Sequence, residues 1–412
     1  MSLMPWSENF RIWLLAGIAA MMSVYPLVAS YLTGILLIYT FTTGNVKGKI
    51  HNIVQPLPLL FISLYVVYVL GLFHTSTENC SYALQKLETK LGLLLFPILI
   101  FAEKISYQGQ RTIFKAFVLG CAFCAIYCLS CAAVHHFISG VSNFTYSFLS
   151  DYIKFHPAYF SLYLGFGIFI LLDKAYEDLF PKIIQQSLIL FFATVIVLLA
   201  SRMEVLVFLF LFNLTALYYY GYQQKKILKA LFAVGLITLF FVGGSLILPQ
   251  ARLNNVTNAI TTQKEGVRQD SSLAQRIDKT RYYLWTVSAE SIREAPIFGV
   301  GTGDITDVMK EKFLKRKDVN PIVIAKGYNS HQQFLQIWLT LGIFALLLFI
   351  AILFVPLYLA WKQSHYLYAL FLLSFILSIL VESMLENQRG VIFYAFFNSL
   401  LASQLAVKRW QV

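Results

Sequence analysis

Apolar runs close to twenty residues long recur from one end of this 412-residue chain to the other. Each is about the length an α-helix needs to cross a bilayer. In hydrocarbon a backbone N–H or C=O finds no water, so a spanning segment must close its hydrogen bonds within itself. With 58% hydrophobic and 13% charged residues, the chain cannot be a water-soluble domain. The runs cover 11–41 (broken near Tyr25 and Pro26, hence two short spans), 56–73, 91–102, 117–138, 157–172, 183–199, 205–219 and 231–248. After a polar stretch, 342–359, 368–381 and 391–405 follow. The pattern predicts an all-α integral membrane protein with about twelve transmembrane helices. Three regions result: helices one to nine over 1–248, a large loop with amphipathic helices over 249–330, and helices ten to twelve with a cytoplasmic tail over 331–412. The first apolar run is followed at once by others without a small-residue cleavage site, so no cleavable signal peptide is expected.

The formal net charge of +12 is read through its distribution. With both termini inside, the even-numbered connections hold Lys47, Lys49, Lys104, Arg111, Lys225, Lys226 and Lys229. The short odd-numbered ones hold few basic residues. Basic loops stay in the cytoplasm, so the excess marks topology and membrane lipid, not nucleic acid. It also suits an anionic lipid-linked substrate. The long loop then lies outside, together with Arg202 and His156. Cys121, Cys124, Cys128 and Cys131 have a spacing that tempts a zinc reading. Thiolates in hydrocarbon are costly, so the four read as small residues packing a helix face.

Within the long loop, Arg281-Tyr-Tyr-Leu-Trp285 opens a helical run to Glu294, which Pro296 stops. Gly299, Gly301 and Gly303 make a turn. A second helix over 304–317 carries Ile305, Val308, Met309 and Phe313 on one face, with Lys310, Lys315 and Lys317 on the other. Two readings stand: amphipathic helices lying on the membrane over a cleft, or a solvated cap. The Gly299-Val-Gly-Thr-Gly303 run lacks a preceding strand and a P-loop lysine, so no nucleotide site is expected. Asp304 and Asp307 stand at a helix start, where capping is ordinary chemistry and a divalent ion the alternative.

Gly327-Tyr-Asn-Ser-His331-Gln-Gln-Phe-Leu-Gln-Ile-Trp338 joins this polar stretch to an apolar run. Asn329 or Ser330 is placed to cap a helix that His331 begins. An interfacial helix with an incidental histidine is one reading. A histidine acting on substrate is the other, and a helix start disfavours imidazolium there. Arg202, in Ala-Ser-Arg-Met-Glu at a membrane edge, either snorkels or pairs with Glu204, or else captures phosphate with its planar fork. Arg281 either stacks on Trp285 or faces an anion. His156 begins a span as a cap or as part of a cleft. Glu382, Glu386 and Arg389 pair with each other or position His331.

Ser201-Arg202, Arg281-Tyr-Tyr-Leu-Trp285 with Pro296-Ile-Phe-Gly-Val-Gly-Thr-Gly303, and Tyr328-Asn-Ser-His331-Gln-Gln-Phe-Leu-Gln336 together resemble the O-antigen ligase and polymerase family, most strongly over about 185–345. Glu382-Ser-Met-Leu-Glu386-Asn-Gln-Arg389 is similar to it as well. The resemblance implies a GT-C-like fold with one large periplasmic loop. It implies an inverting, metal-independent glycosyltransferase without cofactor in the bacterial inner membrane, its active site facing the periplasm. The donor would be an undecaprenyl-diphosphate-linked glycan, and the acceptor lipid A–core or another glycan. Arg202 and Arg281 would bind the donor diphosphate and His331 would act on the acceptor hydroxyl. Ligase, polymerase and protein O-oligosaccharyltransferase share these motifs. Many relatives carry Asn directly after the histidine, where this chain has Gln332, which bears on the subfamily. A transporter is the reading from another class; charges gathered at the outer edge and in one loop disfavour it.

Overall fold

The computed structural model describes residues 6–261, 273–316 and 329–408. Tyr328, Lys317 and the stretch 262–272 lie outside the described residues. Every regular element among them is helical: α1 (Trp6–Val24), α2 (Pro26–Thr42), α3 (Val46–Ile53), α4 (Pro56–Leu70), α5 (Cys80–Lys90), α6 (Gly92–Phe101), α7 (Tyr107–Ser139), α8 (Tyr146–Ser150), α9 (Pro157–Leu172), α10 (Lys182–Leu199), α11 (Arg202–Ala216), α12 (Ile227–Thr261), α13 (Leu273–Glu294), α14 (Ile305–Leu314), α15 (Gln333–Lys362), α16 (Tyr366–Ile379) and α17 (Gln388–Lys408).

Six helices among the described residues are long and apolar enough to cross a membrane, or up to eight if each bent pair is one span. Sequence periodicity alone leads to about twelve. The difference has a physical origin: several apolar runs fold as pieces shorter than a bilayer. Asn9–Val24 and Tyr366–Ile379 are such helices, and α2 turns by 118° into α3. That corner is closed by Lys49, whose ammonium donates to the carbonyls of Thr40 and Thr43 at 2.6 Å each. A cation that takes the last carbonyls of a helix also meets the negative end of its macrodipole.

The chain divides into two compact units, one of residues 1–33 and 106–268, the other of 34–105 and 269–412. In the first, α7 packs along α1 at close range. A β-carbon on Gly120 would come within 2.6 Å of the Ala20 carbonyl. Cys121, Cys124 and Cys128 are buried there as thiols, with Cys121 Sγ 3.7 Å from Ser23 Oγ. This is the packing role expected of them. Helix α9 is buried from Pro157 to Leu171, and Gly165 lets the Phe208 ring of α11 approach its backbone.

The second unit is built on α4, α6, α15, α16 and α17, with α13 and α14 packed on the start of α15. Leu284, Val287 and Ile292 of α13, Ile305, Met309 and Phe313 of α14, and Leu339 of α15 form one buried cluster. Each such side chain removed from water stabilises by roughly 1.5–3 kcal/mol. The amphipathic faces read from the sequence are therefore spent on each other and on α15.

Candidate functional site

Helix α15 is not continuous. Gly342 has φ 82° and ψ −177°, a backbone region essentially restricted to glycine. Into this break runs the segment 296–303. Ile343 N–H donates to the Pro296 carbonyl at 3.0 Å instead of to Leu339. The Leu339 and Thr340 carbonyls accept from Val300 N–H at 2.9 Å and Gly301 N–H at 3.0 Å. Trp338 Nε1 donates to the same Pro296 carbonyl at 3.1 Å. A β-carbon on Gly299 would lie 2.5 Å from the Thr340 carbonyl, and one on Gly342 would lie 1.9 Å from the Ile297 carbonyl. The glycine run thus serves as a strap that satisfies a broken helix. Beyond it, Asp304 accepts from Ser76 N–H at 2.8 Å, Ser76 Oγ at 2.7 Å and Asn79 Nδ2 at 2.8 Å. Asn79 Nδ2 also donates to Asp307 at 2.7 Å. The Asp304 side chain makes no cap bond to α14; it tethers the loop before α5.

The short helical piece 333–341 ahead of the break is preceded by His331. Its cap is Gln332, whose side chain accepts the Leu335 N–H, and not Asn329 or Ser330. Asn329 Oδ1 instead accepts His331 N–H at 2.8 Å, and His331 holds φ at 45°. This left-handed residue turns its ring toward the segment joining α16 to α17. There His331 Nδ1 lies 3.0 Å and 3.2 Å from the two carboxylate oxygens of Glu382. The side chains are 25% and 11% exposed. A carboxylate only accepts, so Nδ1 is the protonated nitrogen, and in the neutral ring Nε2 carries the lone pair. A base held by a carboxylate through its far nitrogen is suited to take a proton from a hydroxyl.

Arg281 stands on α13 one turn before Leu284 of the buried cluster, and is half-buried. Among the described residues no cation–π contact joins it to Trp285 and no carboxylate pairs with it. Arg389, in the first turn of α17, is half-buried, and its N–H donates to Asn387 Oδ1 at 3.0 Å. His331, Glu382, Arg281 and Arg389 all belong to the second unit.

Arg202 and His156 belong to the first. Ala200, with φ 46°, ends α10, and Arg202 is the exposed first residue of α11. Glu204 is buried and makes no ion pair with Arg202 among the described residues. An exposed guanidinium at a helix N-terminus suits an anion. His156 is exposed, and its Nδ1 accepts the Ala158 N–H at 3.4 Å, capping α9. The ring sits edge-on to Tyr159 with centroids 5.8 Å apart.

Residues 187–350 match the family model described as O-antigen ligase. Over this stretch the chain is similar to the O-antigen ligase family. It is also similar to an uncharacterized protein of Haemophilus influenzae, 25% identical over 196 residues. The match takes in 44% of this chain and 47% of that one, so it spans about half the length of the relative. Arg202, the strap, Arg281 and His331 fall inside the O-antigen ligase match. His156, Glu382, Glu386 and Arg389 fall outside it.

One element outside the matched residues escaped the sequence reading. Glu386, four residues after Glu382, accepts from Lys90 at 2.7 Å and Lys86 at 3.1 Å. Lys90 also donates to the Leu385 carbonyl at 2.9 Å and lies 4.4 Å from the Tyr68 ring centroid. Burial pushes the Glu386 carboxyl up, but the two ammonium groups outweigh it and hold it down at about 2. The signal was the i, i+4 spacing of Lys86 and Lys90 on a helix whose Ala83 and Leu87 are core residues.

Proposed function

We propose that this protein is an integral membrane glycosyltransferase that moves a glycan from a lipid diphosphate, in the first instance undecaprenyl diphosphate, to the hydroxyl of lipid A–core. The observation that carries the reading is the His331–Glu382 pair at the head of α15, within and beside a stretch of the O-antigen ligase family. In the proposed step His331 Nε2 takes the proton of the acceptor hydroxyl as its oxygen attacks the anomeric carbon. The bond from that carbon to the diphosphate oxygen breaks, and the diphosphate leaves on its lipid. Attack opposite the leaving group inverts the anomeric centre. Glu382 holds the ring and offsets the charge that the imidazole gains. The leaving group is already good and needs only neutralisation of its charge. Arg281 is proposed to contribute to that. For Arg202 the same role rests on the family resemblance and on its exposed place at the N-terminus of α11. A divalent ion is not required in this scheme.

The proposal includes about twelve crossings in a GT-C-like arrangement, in the bacterial inner membrane, with the reacting side in the periplasm. The distribution of basic residues supports it, and reporter fusions at Lys226 and Lys310 should read cytoplasmic and periplasmic. The decisive experiment is transfer by the purified protein from an undecaprenyl-diphosphate-linked glycan to lipid A–core. Product that persists in EDTA is expected; no product, with acceptor and donor intact, would overturn the reading. Arg281→Lys and Arg202→Lys should each lower transfer roughly ten- to a hundredfold, because an ammonium cannot replace the bidentate fork. Lipopolysaccharide banding after deletion separates ligase from polymerase. Loss of every O-antigen band marks the ligase, while a surviving single-repeat band marks a polymerase.

A further inference from the structure

His331 and Glu382 come from distant parts of the second unit, and something must fix the gap between them. The Gln333 side chain is fully buried. Its Oε1 accepts Leu385 N–H at 2.7 Å. That amide orientation is set by the donor it meets, since only the carbonyl oxygen can accept. Gln333 follows His331 by two residues, and Leu385 follows Glu382 by three. One side chain therefore ties the backbone just after the imidazole to the backbone just after the carboxylate. A turn later, buried Gln336 grips the other side of His331. Its Oε1 accepts Ser330 N–H at 3.0 Å and Ser330 Oγ at 2.8 Å. Between these anchors His331 keeps its left-handed φ, a conformation that persists for a residue with a β-carbon only where its surroundings impose it.

We propose that Gln333 is a positioning residue for the His331–Glu382 pair, setting the register between the head of α15 and the turn 382–386. The inference rests on the function proposed above, because its readout is glycan transfer. Gln333 touches neither the donor nor the acceptor in this scheme. Its removal should lower kcat and leave KM for the donor alone.

The test is a double-mutant cycle on the full-length purified protein, with undecaprenyl-diphosphate-linked glycan as donor. Gln333→Met keeps length and burial but has no strong acceptor for Leu385 N–H. It should lower kcat about tenfold or more with donor KM within about twofold, since a small misplacement of a reacting group is expensive. In a Glu382→Ala background the same change should lower kcat by less than about threefold, because the contact it serves is already gone. Gln336→Met provides a second arm with the same expected non-additivity, and thermal unfolding of each variant sets the temperature at which kcat is compared. Wild-type kcat in Gln333→Met, or losses that multiply in full with Glu382→Ala, would overturn the proposal and leave Gln333 a purely structural residue. Full transfer by His331→Ala is a different failure. It would remove the functional reading itself, whatever Gln333 does.

Discussion

Glu382 and Glu386 lie four residues apart in one turn, both are almost buried, and they do opposite things. Glu386 is closed in by two lysines, with Nζ atoms at 2.7 Å and 3.1 Å. Glu382 meets the His331 imidazole at 3.0 Å, a ring with a second nitrogen left to face substrate in the proposed step. Burial therefore does not mark the functional carboxylate. The partner does. A carboxylate between ammonium groups is a fixed joint, and one on a histidine is a handle on a base.

The sharpest way to separate them is to remove the joint. Glu386→Ala leaves Lys86 and Lys90 facing each other without a counter-charge, and breaking a buried pair from one side costs about 3–5 kcal/mol. The apparent unfolding temperature in detergent should fall by many degrees, with kcat of the surviving folded protein near wild type. An unchanged unfolding temperature would mean that the lysines are solvated in the membrane-bound protein.

The next effect is on chemistry. His331→Ala should reduce transfer roughly a hundredfold or more while leaving thermal unfolding and donor binding nearly unchanged. His331→Gln can still hydrogen-bond but cannot take a proton, and it should be almost as inactive. If the glutamine variant works well, the ring orients the acceptor and is not its base.

Glu382→Gln comes third. It keeps a hydrogen-bonding side chain but loses the charge that steadies the ring, and outer partners of this kind typically matter ten- to a hundredfold. The loss should appear in kcat and not in donor KM, and stability should move little. If instead the unfolding temperature drops as in Glu386→Ala, the two carboxylates are both joints and the contrast between them disappears.

How much of this was legible in the residues follows from the range of the forces involved. Helices and their ends are local, so Pro296 as a stop, the amphipathic face of α14 and the head of α15 could be read from spacing. The pairing of His331 with Glu382 spans 51 residues, and spacing leaves it as one choice among several. The strap was visible as a glycine run, but its use depends on the broken helix it enters. Gly342 looks ordinary inside an apolar stretch, because a φ of 82° leaves no trace in hydropathy. Apolar length leads to about twelve crossings, whereas six to eight of the described helices are long and apolar enough to cross, for a related reason: hydropathy cannot tell a long continuous helix from an apolar run that folds in shorter pieces.

An acid scan gives the smallest effect and tests both carboxylates at once. The Glu386 carboxyl is held at about 2, below its ordinary value of 4.5. A depressed carboxyl contributes stability that is fully present above its unfolded pKa and is lost as pH falls through the folded one. Between pH 7 and 5 the unfolding temperature should therefore not respond to Glu386. From about pH 4.5 downward it should decline, and the decline should steepen toward pH 2 as the native carboxyl takes up its proton. In Glu386→Ala this part of the acid response should be missing, whereas Glu382→Gln should keep it. Transfer separates the two carboxylates in the opposite sense: Glu382→Gln should lower it at pH 7 with the acid response of stability intact, and Glu386→Ala should leave transfer by the folded protein near wild type. If Glu382→Gln also loses the acid response, the division of labour between Glu382 and Glu386 is wrong.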